Sequence, residues 1–214
     1  MIYLEETLNL KGASWEALDD FIAFSQETMV PLCPEVGARL VAAWSSSEEW
    51  FCQVKQVFEF DDLQALKNFR IKAGRNERWG IYAAGLEDHA PVRRSRLLEP
   101  VGAVPVEVLH QAMADSRQTP NLGYVLAILE VGAGKMDPFW AALSESYKNL
   151  PIIASWRPIG GSPNEVIDVW KSPEPEKAYQ PADDFRKQFM RMVREVAPKE
   201  WVVRVLALPY SPLL

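Results

Sequence analysis

The sequence predicts an α+β fold in which one β-α-β-β-α-β unit occurs twice in tandem. Three observations carry this. Val41-Ala42-Ala43-Trp44 is matched by Ile153-Ala154-Ser155-Trp156, the tryptophans lying 156 − 44 = 112 residues apart. Val54-Lys55-Gln56-Val57-Phe58 is matched by Val166-Ile167-Asp168-Val169-Trp170 at the same offset, 166 − 54 = 112. Helix signals of the same kind flank both pairs of runs. An offset held across two strand-like runs and their turn is the mark of an internal repeat.

The elements follow in order. Tyr3-Leu4-Glu5 opens the first unit as an extended run. Ser14 then stands before Trp15, Leu18, Phe21, Ile22 and Ser25, a helical spacing with a capping serine. The two matched runs form a hairpin around Ser45-Ser46-Ser47. Asp61-Asp62 starts a second helix carrying Leu63, Leu66 and Phe69, and Leu97-Leu98-Glu99-Pro100 closes the unit as a strand. Glu107 to Arg117 reads as a linker helix. In the second unit Gly123-Tyr124-Val125-Leu126 is the opening strand. Asp137-Pro138 caps a helix with Phe139, Ala142, Leu143 and Tyr147 on its apolar face. The second hairpin turns at Ile159 to Pro163. Asp183-Asp184 starts a helix with Phe185, Phe189, Met192, Val193 and Val196 on one stripe, stopped by Pro198, and Leu206-Ala207-Leu208-Pro209 is the last strand.

This order is the ferredoxin-like arrangement, with both helices on one face of an antiparallel sheet. The expected domains are 1–105 and 121–214, joined by a linker helix at 106–120. Cys52, Val54, Phe58 and Phe60 in the first unit, with Val166 and Trp170 in the second, are expected on the sheet faces away from the helices. Apolar faces of that size need cover. The two units are therefore expected to pack sheet to sheet as an intrachain α+β barrel, with further association into a homodimer left open.

Composition narrows the function. Of 214 residues 48 % are hydrophobic and 24 % charged, enough to bury a core, and eight are tryptophan. A net charge of −6 and a pI near 5.1 argue against a nucleic-acid partner. The cluster Arg93, Arg94, Arg96 reads as a solvated linker. Cys33 and Cys52 have no metal or disulfide spacing, so no metal is expected, and Cys52 reads as a core residue. Acids at Glu5 and Glu6 oppose a secretory leader and no apolar run spans a bilayer, so a cytoplasmic protein without membrane partners is expected.

The opening Met1-Ile2-Tyr3, the Trp44 and Trp156 positions, the Asn164 to Trp170 run after a glycine-bearing turn, and the closing Leu208-Pro209-Tyr210-Ser211-Pro212-Leu213 resemble the NIPSNAP group of the dimeric α+β barrel superfamily. The second unit carries the better match. The first has no glycine in its hairpin turn and Phe58 in place of a tryptophan. The resemblance implies the barrel fold and brings no catalytic residue set. Cofactor-independent monooxygenases, lactone isomerases and haem enzymes such as chlorite dismutase share the superfamily fold, which does not settle function.

Among chemistry-bearing residues, His89 reads as part of a polar loop, and His110, in the linker helix, is the better of the two histidines for a haem. Neither has a placed carboxylate, so no cofactor is expected. Val131-Gly132-Ala133-Gly134-Lys135 lacks the spacing of a phosphate loop. The informative polar residues are Asp168, Arg204 and Glu6, each inside an apolar strand. In the usual strand order Asp168 and Arg204 are two strand spacings of about 4.8 Å apart, within an arginine's reach. A small-molecule site in the barrel interior is accordingly expected at Trp156, Asp168, Trp170, Arg204 and Trp44, with Asp168 as the one nameable base. No catalytic residue is assigned beyond that. The alternative is a non-enzymatic interaction module whose core is filled.

Overall fold

A computed structural model describes residues 1–12, 14–177 and 183–214. It divides the chain into a first unit, Met1–Leu97 with Ala207–Leu214, and a second, Leu98–Leu206. The first unit runs β1 (Ile2–Asn9), α1 (Trp15–Thr28), a short α2 (Cys33–Val36), β2 (Arg39–Ser46), β3 (Gln53–Phe60), α3 (Leu63–Arg75), α4 (Glu77–His89) and most of β4 (Val92–Pro100). The second holds α5 (Val106–Ser116), β5 (Gly123–Glu130), α6 (Met136–Ser146), β6 (Ile152–Pro158), β7 (Glu165–Lys171), α7 (Asp184–Val196) and nearly all of β8 (Lys199–Ala207). The strands follow the order β1-β3-β2-β8-β5-β7-β6-β4 of a closed barrel, so the α+β barrel read from the sequence is the fold observed.

The hairpins keep the 112-residue offset residue for residue along the ladder. Trp44 pairs with Lys55 and Trp156 with Ile167; Leu40 pairs with Phe58 and Ile152 with Trp170. Both ladders slip at the same place, between Leu40 and Ala42 and between Ile152 and Ala154. A bulge re-aims every side chain beyond it, so a shared bulge preserves which face each later residue occupies. After the hairpins the offset falls to 107. Helix α4 (77–89) maps onto α7 (184–196) and β4 (92–100) onto β8 (199–207). The Pro100 and Pro209 of the expected closing strands are therefore not equivalent: the strand ends align two residues out of step with the prolines.

Local chemistry explains the helix starts. Ser14 is extended and its hydroxyl accepts the Ala17 N–H at 3.4 Å. Asp62, Asn76 and Asp183 do the same for Ala65, Trp79 and Arg186 at 2.7, 3.0 and 2.7 Å. Helix α6 begins two residues earlier than Asp137-Pro138 suggests, with Lys135 at the cap.

Several expectations need correcting. Val54, Phe58, Phe60 and Cys52 do not sit away from the helices. They share one core with Leu18 and Phe21 of α1 and Leu66 and Phe69 of α3. Val166 likewise packs with Phe139, Leu143, Phe189 and Val193, with Trp170 against that cluster. Strand β3 is buried along its whole length, on both faces. Alternation was therefore silent about which face met the helices. Helix α4 went unread because it follows α3 with only Asn76 between them. His89 is its last residue, stacked on Phe24 with ring centres 4.5 Å apart, and not part of a polar loop. Arg93, Arg94 and Arg96 lie in β4 and pair with Glu87, Glu49 and Glu5. Among the described residues no helix is long and apolar enough to cross a membrane.

Candidate functional site

In the second unit α7 lies over the face of the sheet formed by β5, β7 and β8, and a cavity of about 200 Å³ opens between them. The helix is amphipathic for a simple reason. Phe189 and Val193 are buried four residues apart, while Arg186, Met190 and Arg194 recur at the same spacing one step around the helix, at the mouth of the cavity. Across the sheet, Val125 and Leu129 of β5 and Val202 of β8 give apolar walls.

Asp168 stands at the floor of this cavity with 2 % of its surface exposed. Its Oδ1 accepts the Ser155 hydroxyl at 2.6 Å, and Oδ2 makes no hydrogen bond among the described residues. Ser155 reaches it because the two residues are direct ladder partners beyond the bulge. Burial pushes the Asp168 carboxyl up to about 7, the Ser155 hydrogen bond works against this, and the Glu200 carboxylate adds to it. Glu200 is itself paired with Arg194 of α7. An Asp that changes protonation near neutrality on an apolar floor can take a proton from a bound molecule or give one back.

The expected site residues divide. Asp168 and Trp170 both line the cavity. Trp156 pairs with Ile167, whose side chain points to the sheet face opposite that of Asp168. Arg204 is on β8, exposed, and is not a cavity residue; the hydrogen-bond partner of Asp168 is Ser155 and not Arg204. Trp44 belongs to β2 of the first unit. The cavity lies under a helix, whereas the sequence pointed to the barrel interior. His110 lies half-buried on α5. Ser155, Arg186, Phe189, Arg194 and Glu200 were not anticipated. The signal for Ser155 was present: it is the one hydroxyl in a strand otherwise of Ile152, Ile153, Ala154 and Trp156 up to Arg157. The signal for the α7 cations was their spacing of eight, which places Arg186 and Arg194 on one stripe.

A second hollow in this unit, about 330 Å³, lies beside Glu99, Trp140 and Arg157. Its charged groups neutralise each other: Arg157 bonds Glu99 and stacks on Trp140 at 5.6 Å.

The equivalent layer of the first unit has the same register and different contents. Gln56 takes the place of Asp168 (56 + 112 = 168), between Glu6 on β1 and Ala43 on β2. Its Nε2 donates to the Tyr210 hydroxyl at 2.8 Å. Tyr82 of α4, fully buried, packs there on Phe24 and Trp79. Burial raises the Glu6 carboxyl while Arg93 lowers it. Burial and then Glu6 raise the Cys33 thiol to about 12, which makes it inert as a nucleophile.

No family model and no curated protein matches the sequence. The fold, by contrast, recurs among solved structures. The chain is similar to a candidate monooxygenase from Lactobacillus acidophilus NCFM, with 14 % identity, 96 % of this chain and 93 % of that one covered, and a TM-score of 0.63. It is similar to another from Fusobacterium nucleatum, with 11 % identity, 97 % and 92 % covered, and a TM-score of 0.66. An uncharacterised NIPSNAP domain protein from Burkholderia xenovorans matches 49 % of this chain over 99 % of its own, at 16 % identity and a TM-score of 0.44. At 11 to 14 % identity the likeness to the two candidate monooxygenases is one of fold alone: the chain shares their α+β barrel.

Proposed function

We propose that the cavity beneath α7 binds a small, largely apolar organic molecule and that Asp168 moves a proton to or from it. The observation that carries this is the pairing of an apolar chamber with one buried carboxyl held near neutrality. Of the residues expected from sequence, the proposal retains Asp168 and Trp170. Ser155 orients Asp168 by holding Oδ1, so proton transfer falls to Oδ2. The likeness in fold to two proteins named as candidate monooxygenases is compatible with this reading. The other reading, an interaction module with a filled core, draws its support from the first unit, where Tyr82 and Tyr210 occupy the corresponding layer.

The test is binding of a neutral apolar fluorophore of one or two rings, followed by Trp170 quenching. Ala127 lines the cavity floor beside Asp168, so Ala127→Leu fills the chamber. It should weaken binding at least tenfold while the melting temperature stays within about 3 °C. Unchanged binding in that variant would remove the cavity from consideration. Asp168→Asn should retain binding and lose any turnover of a proton-transfer substrate.

A further inference from the structure

Two donors on the cavity lining lack a hydrogen-bond acceptor among the described residues: the Trp170 indole Nε1–H and the Arg186 Nε–H, both buried. Asp183 Oδ2 lies 3.3 Å from Arg186 Nε, near enough for charge attraction but outside hydrogen-bonding geometry. The other oxygen of Asp183 is committed to the α7 cap. A buried N–H without an acceptor destabilises the protein unless a partner reaches it. Two such donors on one chamber are what an acceptor oxygen on a ligand would satisfy.

Charge supports the same point. The chain as a whole has net charge −6. Yet the cavity lining carries Lys171, Lys177, Arg186 and Arg194 against Asp168 and Glu200. Arg194 is tied to Glu200, Lys177 to Glu174 and Arg186 to Asp183, whereas Lys171 has no ion partner among the described residues. The mouth thus holds four cations, one of them without an acidic partner among the described residues, next to two unmet donors, with Val125, Leu129, Phe189 and Val193 beyond them.

Resting on the cavity reading above, we infer that the ligand is an organic acid: a flat apolar body of one or two rings bearing an anionic oxygen, received by Trp170 and Arg186 with Lys171 beside them. Charge-assisted hydrogen bonds to an anion are roughly twice as strong as neutral ones. The chamber, about 200 Å³, is below the range of about 300–1,000 Å³ usual for drug-sized ligands, which limits the body to that size.

The experiment compares 2-naphthoate with 2-naphthalenemethanol, which share a ring system and differ in charge. Titrations with the full chain at pH 6 and low salt follow calorimetric heat. Naphthoate should bind at least tenfold tighter than the alcohol. The preference should shrink to within about threefold in Arg186→Gln combined with Lys171→Gln, while affinity for the alcohol is unchanged. Trp170→Phe keeps an aromatic side chain, smaller by one ring, and removes the N–H, so it should lower naphthoate affinity more than affinity for the alcohol; melting curves check that each variant is folded. Equal binding of the two probes overturns the anion assignment and leaves the cavity standing. Binding of neither overturns the cavity reading and the assignment with it.

Discussion

The two units place the same backbone under opposite electrostatics. Arg93 of β4 pairs with Glu87 of α4 in the first unit, and Glu200 of β8 pairs with Arg194 of α7 in the second. The positions correspond, since 87 + 107 = 194 and 93 + 107 = 200, and the signs are exchanged. Beneath each pair lies a carboxyl raised by burial, the half-buried Glu6 in the first unit and the buried Asp168 in the second. Glu6 faces Arg93, which favours its charged form, whereas Asp168 faces Glu200, which favours its neutral form. The fillings differ in step. Tyr82 becomes Phe189 (82 + 107 = 189), and Glu6, the ladder partner of Gln56, becomes Ala127, the ladder partner of Asp168. The lesson is that a repeated scaffold can be closed in one copy and hollow in the other through a few side chains, with no change in register.

The largest effect that would sharpen this contrast comes from truncating the two aromatic residues. Tyr82→Ala should cost about 3–5 kcal/mol, because it empties a packed layer. Phe189→Ala should cost at least 1 kcal/mol less, because part of its surroundings is already open. Denaturant melts giving equal costs would break the distinction between a filled and a hollow unit.

The next effect is a pH dependence. The folded carboxyl of Asp168, at about 7, lies above its ordinary value of 3.8. Between those values the native state holds more protons than the unfolded chain, so stability falls as pH rises from about 4 to about 7 and then levels off. At about 1.4 kcal/mol per pH unit the loss is at most about 4 kcal/mol. Asp168→Asn removes it, so the variant should gain on wild type as pH rises from 5 to 8. Glu6→Gln should show a change of the same sign and smaller size, since Arg93 offsets burial there. Thermal melts at the two pH values decide this, and a gain for Asp168→Asn at pH 5 that does not grow by pH 8 would contradict the buried-carboxyl account.

The smallest effect tests the exchanged pair itself. Arg194→Glu together with Glu200→Arg gives the second unit the polarity of the first. Stability should change by no more than about 1 kcal/mol, as is usual for partly exposed pairs. The pH midpoint of the Asp168 transition, followed by carbonyl infrared absorption, should nevertheless move down. A midpoint that does not move would mean that Glu200 has no hold on Asp168.

The repeat was legible in the sequence where the spacing is constant. Val41 to Trp44 and Val54 to Phe58 sit on a hairpin whose length cannot vary without losing its ladder. It became illegible where loops change length. The offset is 127 − 6 = 121 for the first strands, judged by the ladder partners of Gln56 and Asp168, and 107 for the last ones. Asp168 stood out as an acid with low strand propensity among aliphatic residues. Its partner did not. Reach alone favoured Arg204, but a bulge at Ile152–Ala154 decides which side chain of β6 meets Asp168, and no composition signal announces a bulge. The face of each strand was equally hidden, because Val54 and Val57 are both buried on opposite sides of one strand.

The segments that follow the two last strands are joined to the hairpins by matching bonds. Leu208 N–H donates to Ala43 O at 2.9 Å in the first unit, and Val101 N–H to Ser155 O at 2.8 Å in the second (101 + 107 = 208, 43 + 112 = 155). The first unit takes its segment from Ala207–Leu214, and Ala43 is 168 residues from the Ser211 hydroxyl that accepts its N–H. Synthesis runs from the amino end, so the ribosome delivers every residue of Leu98–Leu206 before the first unit receives Leu208, Tyr210 and Ser211. The half that emerges first is therefore the half completed last. Until then Gln56 lacks the Tyr210 hydroxyl and the Ala43 backbone lacks both partners. The early-emerging sheet must wait with those groups solvated or shielded by a chaperone, and its final assembly is a long-range closure of the kind that slows folding.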